Sequence, residues 1–238
     1  MTKPNETWTV LPHGPLTKVA EDLYTVVGKL EMPLGETTRR MSVVRLRESQ
    51  LLIYSAIALH PTEMRKLEAL GTPAFLVVPS DIHRLDAKAW KARYPAMQVI
   101  APRGARDKVS KIVPVDLTDL PFVSERASLD VVPGTSEQEF AMTVRTETGV
   151  TLVVNDLIFN LPRIPGFSGA MLRLLGFAPG RPSMPKLVMK KLVKDREAVR
   201  AQLESWASMR GLERILVAHG GVIDQPQGTL RELAGALS

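Results

Sequence analysis

The stretch PAFLVVPSDIH, residues 73–83, decides how this chain is read. FLVV is a continuous apolar run bounded by Pro73 and Pro79, the mark of a short buried strand. His83 stands just past its end. Two later runs finish the same way. VTLVVNDLIFN (150–160) is broken by Asp156, and RILVAHGG (214–221) runs into His219. A sheet fixes the backbone at its strand ends, so side chains there can converge on one edge. Divalent metals take His and Asp donors at about 2.0–2.2 Å. His83, Asp156 and His219 are therefore the candidate metal ligands. Each also has a plain structural alternative. A histidine after a strand often sits at intermediate exposure and simply hydrogen-bonds, and an Asp in this setting can cap a turn.

The 238 residues suffice for a sizeable core. The reading is one domain over 1–238, with 161–194 as a helical insertion. Apolar content of 45% and charged content of 24% are ordinary for a globular protein. No apolar run is long enough to span a bilayer, and the opening MTKPNETWTVLPHGP lacks the apolar core of a signal peptide. Cysteine is absent, which excludes disulfides and thiolate ligands and fits a reducing compartment. The expected location is cytoplasmic. The net charge is +6, but residues 161–200 hold nine basic residues against two acids, a local excess of +7. Such a patch attracts anions.

Organisation follows from periodicity. LYTVVGKL (23–30), MSVVRL (41–46) and LLIYSAI (51–57) read as strands, with PLGETTRR as a hairpin connection. HPTEMRKLEALG (60–71), LDAKAWKARYP (85–95) and GARDKVS (104–110) read as helices. Between them lie the strand of residues 73–80 and QVIAP (98–102), an alternation typical of βαβ units. KIVPVDL (111–117) and LDVVPG (129–134) are further strand candidates. Residues 140–160 read as a hairpin turning at Thr148-Gly149. The insertion predicts two short amphipathic helices, at 170–177 and 186–193. DREAVRAQLESWASMRG (195–211) predicts a helix capped by Asp195, and TLRELAGAL (229–237) a last one.

In order and context, these motifs resemble the metallo-β-lactamase-like superfamily, over about 23–221, near an uncharacterised branch with a degenerate metal motif. FLVVPSDIHRL falls at that family's His-x-His-x-Asp-His loop, VVPGTS at its Pro-Gly-His turn, LVVNDLIF at its Gly-Asp strand and LVAHGG at its last histidine turn. The resemblance implies an α/β (α+β) four-layer αββα sandwich, two mixed β-sheets flanked by helices. It also implies roles. His83 matches the last histidine of the loop, Asp156 the bridging aspartate and His219 the terminal histidine. Val78, Ser80 and Thr135 replace the three histidines of the first metal position, and Ile82 replaces the loop aspartate. Asp81, one residue away, points elsewhere on an extended segment.

What survives is at most a mononuclear site. Two His and one Asp can hold one Zn²⁺ or Fe²⁺, supporting hydrolysis of an ester, lactone or phosphoester. A metal-free relative that binds a ligand or partner is an equal alternative. His60, at the start of a helix and close to Ser55, is a candidate fourth ligand or base. Arg163, Arg173 and Arg181 of the insertion, which would lie over the site, are candidates for binding a small anionic organic substrate. The same basic, apolar segment suits peripheral contact with an anionic membrane. Aromatics are 5% of the chain and are not interleaved with the basic residues, so no nucleic-acid partner is expected.

Overall fold

A computed structural model describes residues 3–32, 35–122 and 124–237. The first half builds one sheet. β1 (Thr17–Ala20), β2 (Leu23–Met32), β3 (Gly35–Arg45) and β4 (Gln50–Tyr54) form an antiparallel meander. Helix α1 (Pro61–Glu68) crosses to β5 (Thr72–Val77), and α2 (Ala87–Arg93) to β6 (Gln98–Ile100). Both new strands add in parallel, giving a six-stranded mixed sheet ordered β1-β2-β3-β4-β5-β6. A short α3 (Arg106–Ser110) follows.

The second half builds the other sheet. β7 (Ala127–Val131), β8 (Phe140–Thr146) and β9 (Gly149–Val154) are antiparallel neighbours. Helices α4 (Gly166–Leu174), α5 (Lys186–Leu192) and α6 (Arg196–Ala207) then lead to β10 (Leu212–Val217), which lies parallel to β9. α7 (Pro226–Gly235) ends the chain.

Strand alternation explains why these sheets stack. Successive side chains point to opposite faces. In β4, Leu51 and Ile53 join a core shared with Met64 and Leu67 of α1 and Trp90 of α2, while Leu52 and Tyr54 face the other way. In β9, Leu152 and Val154 pack with Val199, Leu203 and Trp206 of α6 and Leu230 of α7, while Val153 turns inward. The inward residues of both sheets form a third cluster, with Tyr54, Phe75 and Val77 against Phe140, Met142 and Leu216. Three apolar layers thus separate four layers of structure, helix-sheet-sheet-helix, as expected. Tyr54 also ties the sheets by a polar contact, its hydroxyl donating to the Phe140 carbonyl at 2.7 Å.

Three local expectations change. Residues 35–40, read as hairpin connection, are strand: Thr37 and Thr38 are β-branched, and β3 pairs with β2 from Met32↔Gly35 onward. Residues 33–34 at the tip lie outside the described residues. KIVPVDL forms no regular strand. Pro114 lacks a donor for a ladder, and the Asp116 carboxylate accepts from the Val99 N–H at 2.8 Å, leaving one bridge, Ile100↔Leu117. β1 carried no apolar alternation in the sequence; it is a short, half-exposed edge strand.

Candidate metal centre

The topology brings the three candidate ligands together. β9 and β10 are parallel and in register, Val154 opposite Val217, so Asp156 and His219 each stand two residues beyond a paired position. β5 ends at Val77, and the loop after it carries His83 to the same edge. Asp156 Oδ2 lies 3.2 Å from His83 Nε2, and Asp156 Oδ1 lies 3.3 Å from His219 Nε2. One donor atom from each residue lies within 4.8 Å of the other two. The donors of a four-coordinate zinc, each about 2.0–2.1 Å from the ion, are about 3.3 Å apart along a tetrahedral edge. The donor types suit one divalent metal, and the three residues lie close enough together to be candidates for holding it.

Both histidines are held from behind. His219 Nδ1 is 2.6 Å from the Thr38 carbonyl oxygen. A carbonyl only accepts, so Nδ1 carries the proton and Nε2 is left to face Asp156. The ring stacks on Phe159, with centroids 4.8 Å apart and planes 16° from parallel. Gly220 has φ +115, and a Cβ there would stand 1.9 Å from the Asn160 carbonyl oxygen, so the turn after His219 requires glycine. His83 Nδ1 contacts Ser55 Oγ at 2.9 Å. Ser55 itself adopts φ +57, a left-handed conformation unusual for serine. Asn155, beside Asp156, serves structure: its amide donates to the Tyr54 hydroxyl and the Phe140 carbonyl.

Asp156 and His219 shift each other's titration. Burial alone would raise the Asp156 pKa, but the charge and contacts of His83 and His219 hold it well below the usual carboxylate range. Burial pushes His219 down, yet its contacts with Asp156 and the Thr38 carbonyl outweigh this and raise it. Beneath them, fully buried Glu139 accepts from the Leu157 N–H at 3.2 Å. Burial first, then the charge of Asp156, pushes its carboxyl well above the ordinary range. Among the described residues, Asp156 Oδ2 has no hydrogen-bond partner.

His60 lies outside this cluster. It is exposed, and its Nδ1 accepts from the Thr62 N–H at the start of α1, which makes it a helix cap rather than a fourth ligand. His13 accepts the His60 N–H. Asp81 turns away to pair with Lys108 at 2.7 Å. The residues that the sequence reading set at the family's other histidine positions are built into the fold. Val78 is in the core, Ser80 is buried, and Thr135 is buried with its hydroxyl donating to the Val132 carbonyl.

The three candidate ligands open on a cavity of about 220 Å³. Arg163, Arg173 and Arg181 are exposed and do not line it. Its cations are Arg39, Arg84 and Lys191, and only Lys191 comes from the insertion. Sequence reading missed Arg39 because it sits in the segment taken for a hairpin connection. Among the described residues, Asp156 is the single acid in the cavity wall.

No protein-family model matches the sequence, and no curated protein matches it by sequence. Solved structures match by shape. The chain is similar to the metallo-β-lactamase FIM-1 from Pseudomonas aeruginosa in its mono-zinc form, at TM-score 0.62 and 13% identity over 95% of this chain and 96% of that one. It is similar to the metallo-β-lactamase DIM-1 at TM-score 0.64 and 11% identity, over 97% and 100%. A metallo-β-lactamase from Hirschia baltica matches at TM-score 0.62 and 9% identity, over 94% and 98%. Two mixed sheets in this order, flanked by helices and matched over nearly their whole length, give this chain the metallo-β-lactamase fold, in a form far diverged in sequence.

Proposed function

We propose that the protein is a hydrolase-like member of this fold with a mononuclear divalent metal centre on His83, Asp156 and His219. One observation carries the reading. Thr38 fixes the His219 Nδ1 proton, so Nε2 meets the Asp156 carboxylate at 3.3 Å either with a second proton or across a shared cation. Asp156 Oδ2 is buried and makes no hydrogen bond among the described residues, its close neighbour being His83 Nε2 at 3.2 Å, and a cation between the two would satisfy both. When bound, the metal supplies Lewis-acid polarisation and an acidified water. The chain's own part is positioning: Thr38, Phe159 and Ser55 set the two imidazoles, and Leu30, Ile82 and Leu85 supply an apolar wall beside them. With no second carboxylate in the cavity wall among the described residues to act as base, esters and lactones with good leaving groups are the favoured substrates.

Metal content of protein purified without chelator tests this, together with thermal shift. Bound metal, or stabilisation by added Zn²⁺ or Fe²⁺ that His219→Ala abolishes, is the expected result. Metal-free protein with no His219-dependent shift overturns it and leaves the alternative of a metal-free ligand-binding relative, its histidines paired with Asp156 through protons.

A second reading concerns the insertion. Phe167 is 79% and Leu174 81% exposed, seven residues apart on one face of α4, and Leu187 of α5 is 60% exposed. They stand among Arg163, Arg173, Lys186 and Lys190, a composition suited to an anionic membrane surface. Among the described residues no helix is long and apolar enough to cross a membrane. Flotation with anionic vesicles at low salt, lost in Phe167→Asp, is expected; equal flotation with neutral vesicles, or none, sinks it.

A further inference from the structure

Arg39 and Arg40 are neighbours on β3, so they project to opposite faces. Arg40 spends its guanidinium on the fold: Nε donates to the Val217 carbonyl and Nη2 to the Gly220 carbonyl, both at 2.9 Å. Arg39 does not. Its Nη1 donates to Asp86 Oδ2 at 2.5 Å. Asp86 is already well supplied, by Asn5 Nδ2 at 2.6 Å and the Ala58 N–H at 3.2 Å. The other edge of Arg39, Nε and Nη2, has no partner among the described residues, although the side chain is only 8% exposed.

This is the edge that matters chemically. Nε–H and Nη2–H run side by side and form the fork that takes both oxygens of a carboxylate. Both nitrogens are also shut off from solvent. The cost of removing them from water is thus met in the folded protein, and an arriving acceptor need not strip that water away. Room for the arginine comes from Gly28, directly opposite on β2. A Cβ there would sit 3.5 Å from Arg39 Cγ and Nε and 3.1 Å from Ile57 Cδ1. Because Nε and Nη2 are buried, the fork has to turn about its single anchor, Nη1 on Asp86, to meet a ligand in the cavity. Arg39 lines the same cavity as His83, Asp156 and His219, with Arg84 and Lys191 adding positive charge.

We propose that this cavity receives a small organic carboxylate, its two oxygens held by Nε and Nη2 of Arg39. As a statement about the substrate, this rests on the hydrolase reading above; as a binding site, it does not need a metal. The remainder of the ligand lies against Leu30, Ala56 and Leu85.

Acetate, benzoate and phenylacetate, with benzamide as neutral partner, are titrated by calorimetry into the full chain. Protein is used both after chelator treatment and zinc-loaded. At least one carboxylate is expected to bind saturably to the chelator-treated protein and to His219→Ala, and benzamide is not. Arg39→Lys keeps the Asp86 contact but loses the fork, and should weaken binding about tenfold or more, the loss of one charge-assisted hydrogen bond. Arg39→Met with Asp86→Asn leaves no buried charge unpaired and should abolish binding while circular dichroism stays native. Binding of benzamide as tight as benzoate, unchanged affinity in Arg39→Lys, or no binding by any of the three carboxylates overturns the proposal. Arg39-dependent binding in a protein that takes no metal upholds the carboxylate site and fails only the hydrolase reading.

Discussion

Thr38 holds His219 and the residue after it across the two sheets: the Thr38 carbonyl accepts from His219 Nδ1 at 2.6 Å, and its hydroxyl accepts from the Gly220 N–H at 2.8 Å. One residue of β3 therefore sets both the tautomer of the histidine and the turn that presents it. This is the kind of support, just behind a ligand, that tunes a metal site.

Thr38→Val keeps the carbonyl and removes the acceptor for Gly220. The expected stability loss is about 1–2 kcal/mol, the cost of leaving a part-buried N–H unpaired. Zinc affinity, measured by competition with a chromophoric chelator, should fall about tenfold as the His219 turn loosens.

Ser55 separates geometry from strain. Ser55→Ala and Ser55→Gly both remove the hydroxyl that contacts His83, and both should weaken zinc binding about tenfold. Only glycine relieves φ +57. Ser55→Gly should therefore be the more stable of the two by about 1 kcal/mol in urea unfolding. Equal stabilities would show that the backbone there relaxes without cost.

Arg40 staples β3 to the end of β10, and burial lowers its pKa because no acid compensates it. Arg40→Met should cost about 2–3 kcal/mol, as the Val217 and Gly220 carbonyls lose a charged donor. Hydrogen exchange should quicken at residues 218–221 more than in β4. Uniform quickening would mean global destabilisation only.

The surface pair of Tyr94 and Glu68 gives an alkaline signature. Burial, then donation to Glu68 Oε1 at 2.5 Å, raises Tyr94 to about 12. An unfolded tyrosine titrates near 10. A raised folded pKa contributes stability that is full below about pH 10 and is lost as pH climbs through 12. The same contact lowers the pKa of Glu68, a contribution present above the ordinary carboxylate value and lost on acidification. Chemical unfolding across pH 9–12 should fall more steeply for the native chain than for Tyr94→Phe; parallel curves would refute the assignment.

Much of this was legible in the chain alone. Apolar alternation and bounded runs located β4, β5, β9 and β10, and Asp195, Pro61 and the three-residue spacing of Met64 and Leu67 located helices, because these signals are local. The positions of His83, Asp156 and His219 past strand ends were likewise visible, and so was the sandwich their order resembles. What the chain alone left open was which polar residues meet. His60 stood as a candidate fourth ligand or base and the arginines of the insertion as candidate anion binders, since residue type and local setting do not reveal direction. Only the register of β9 on β10, the long β2–β3 hairpin and the stacking of the sheets decided it. They turned His60 into a helix cap, put Thr38 and Ser55 behind the histidines, and left Arg39, inside a stretch that read as a loop, facing the cavity. Secondary structure follows from contacts a few residues apart. A site assembled across separations of about 180 residues, such as Thr38 with His219, exists only once the two sheets have packed.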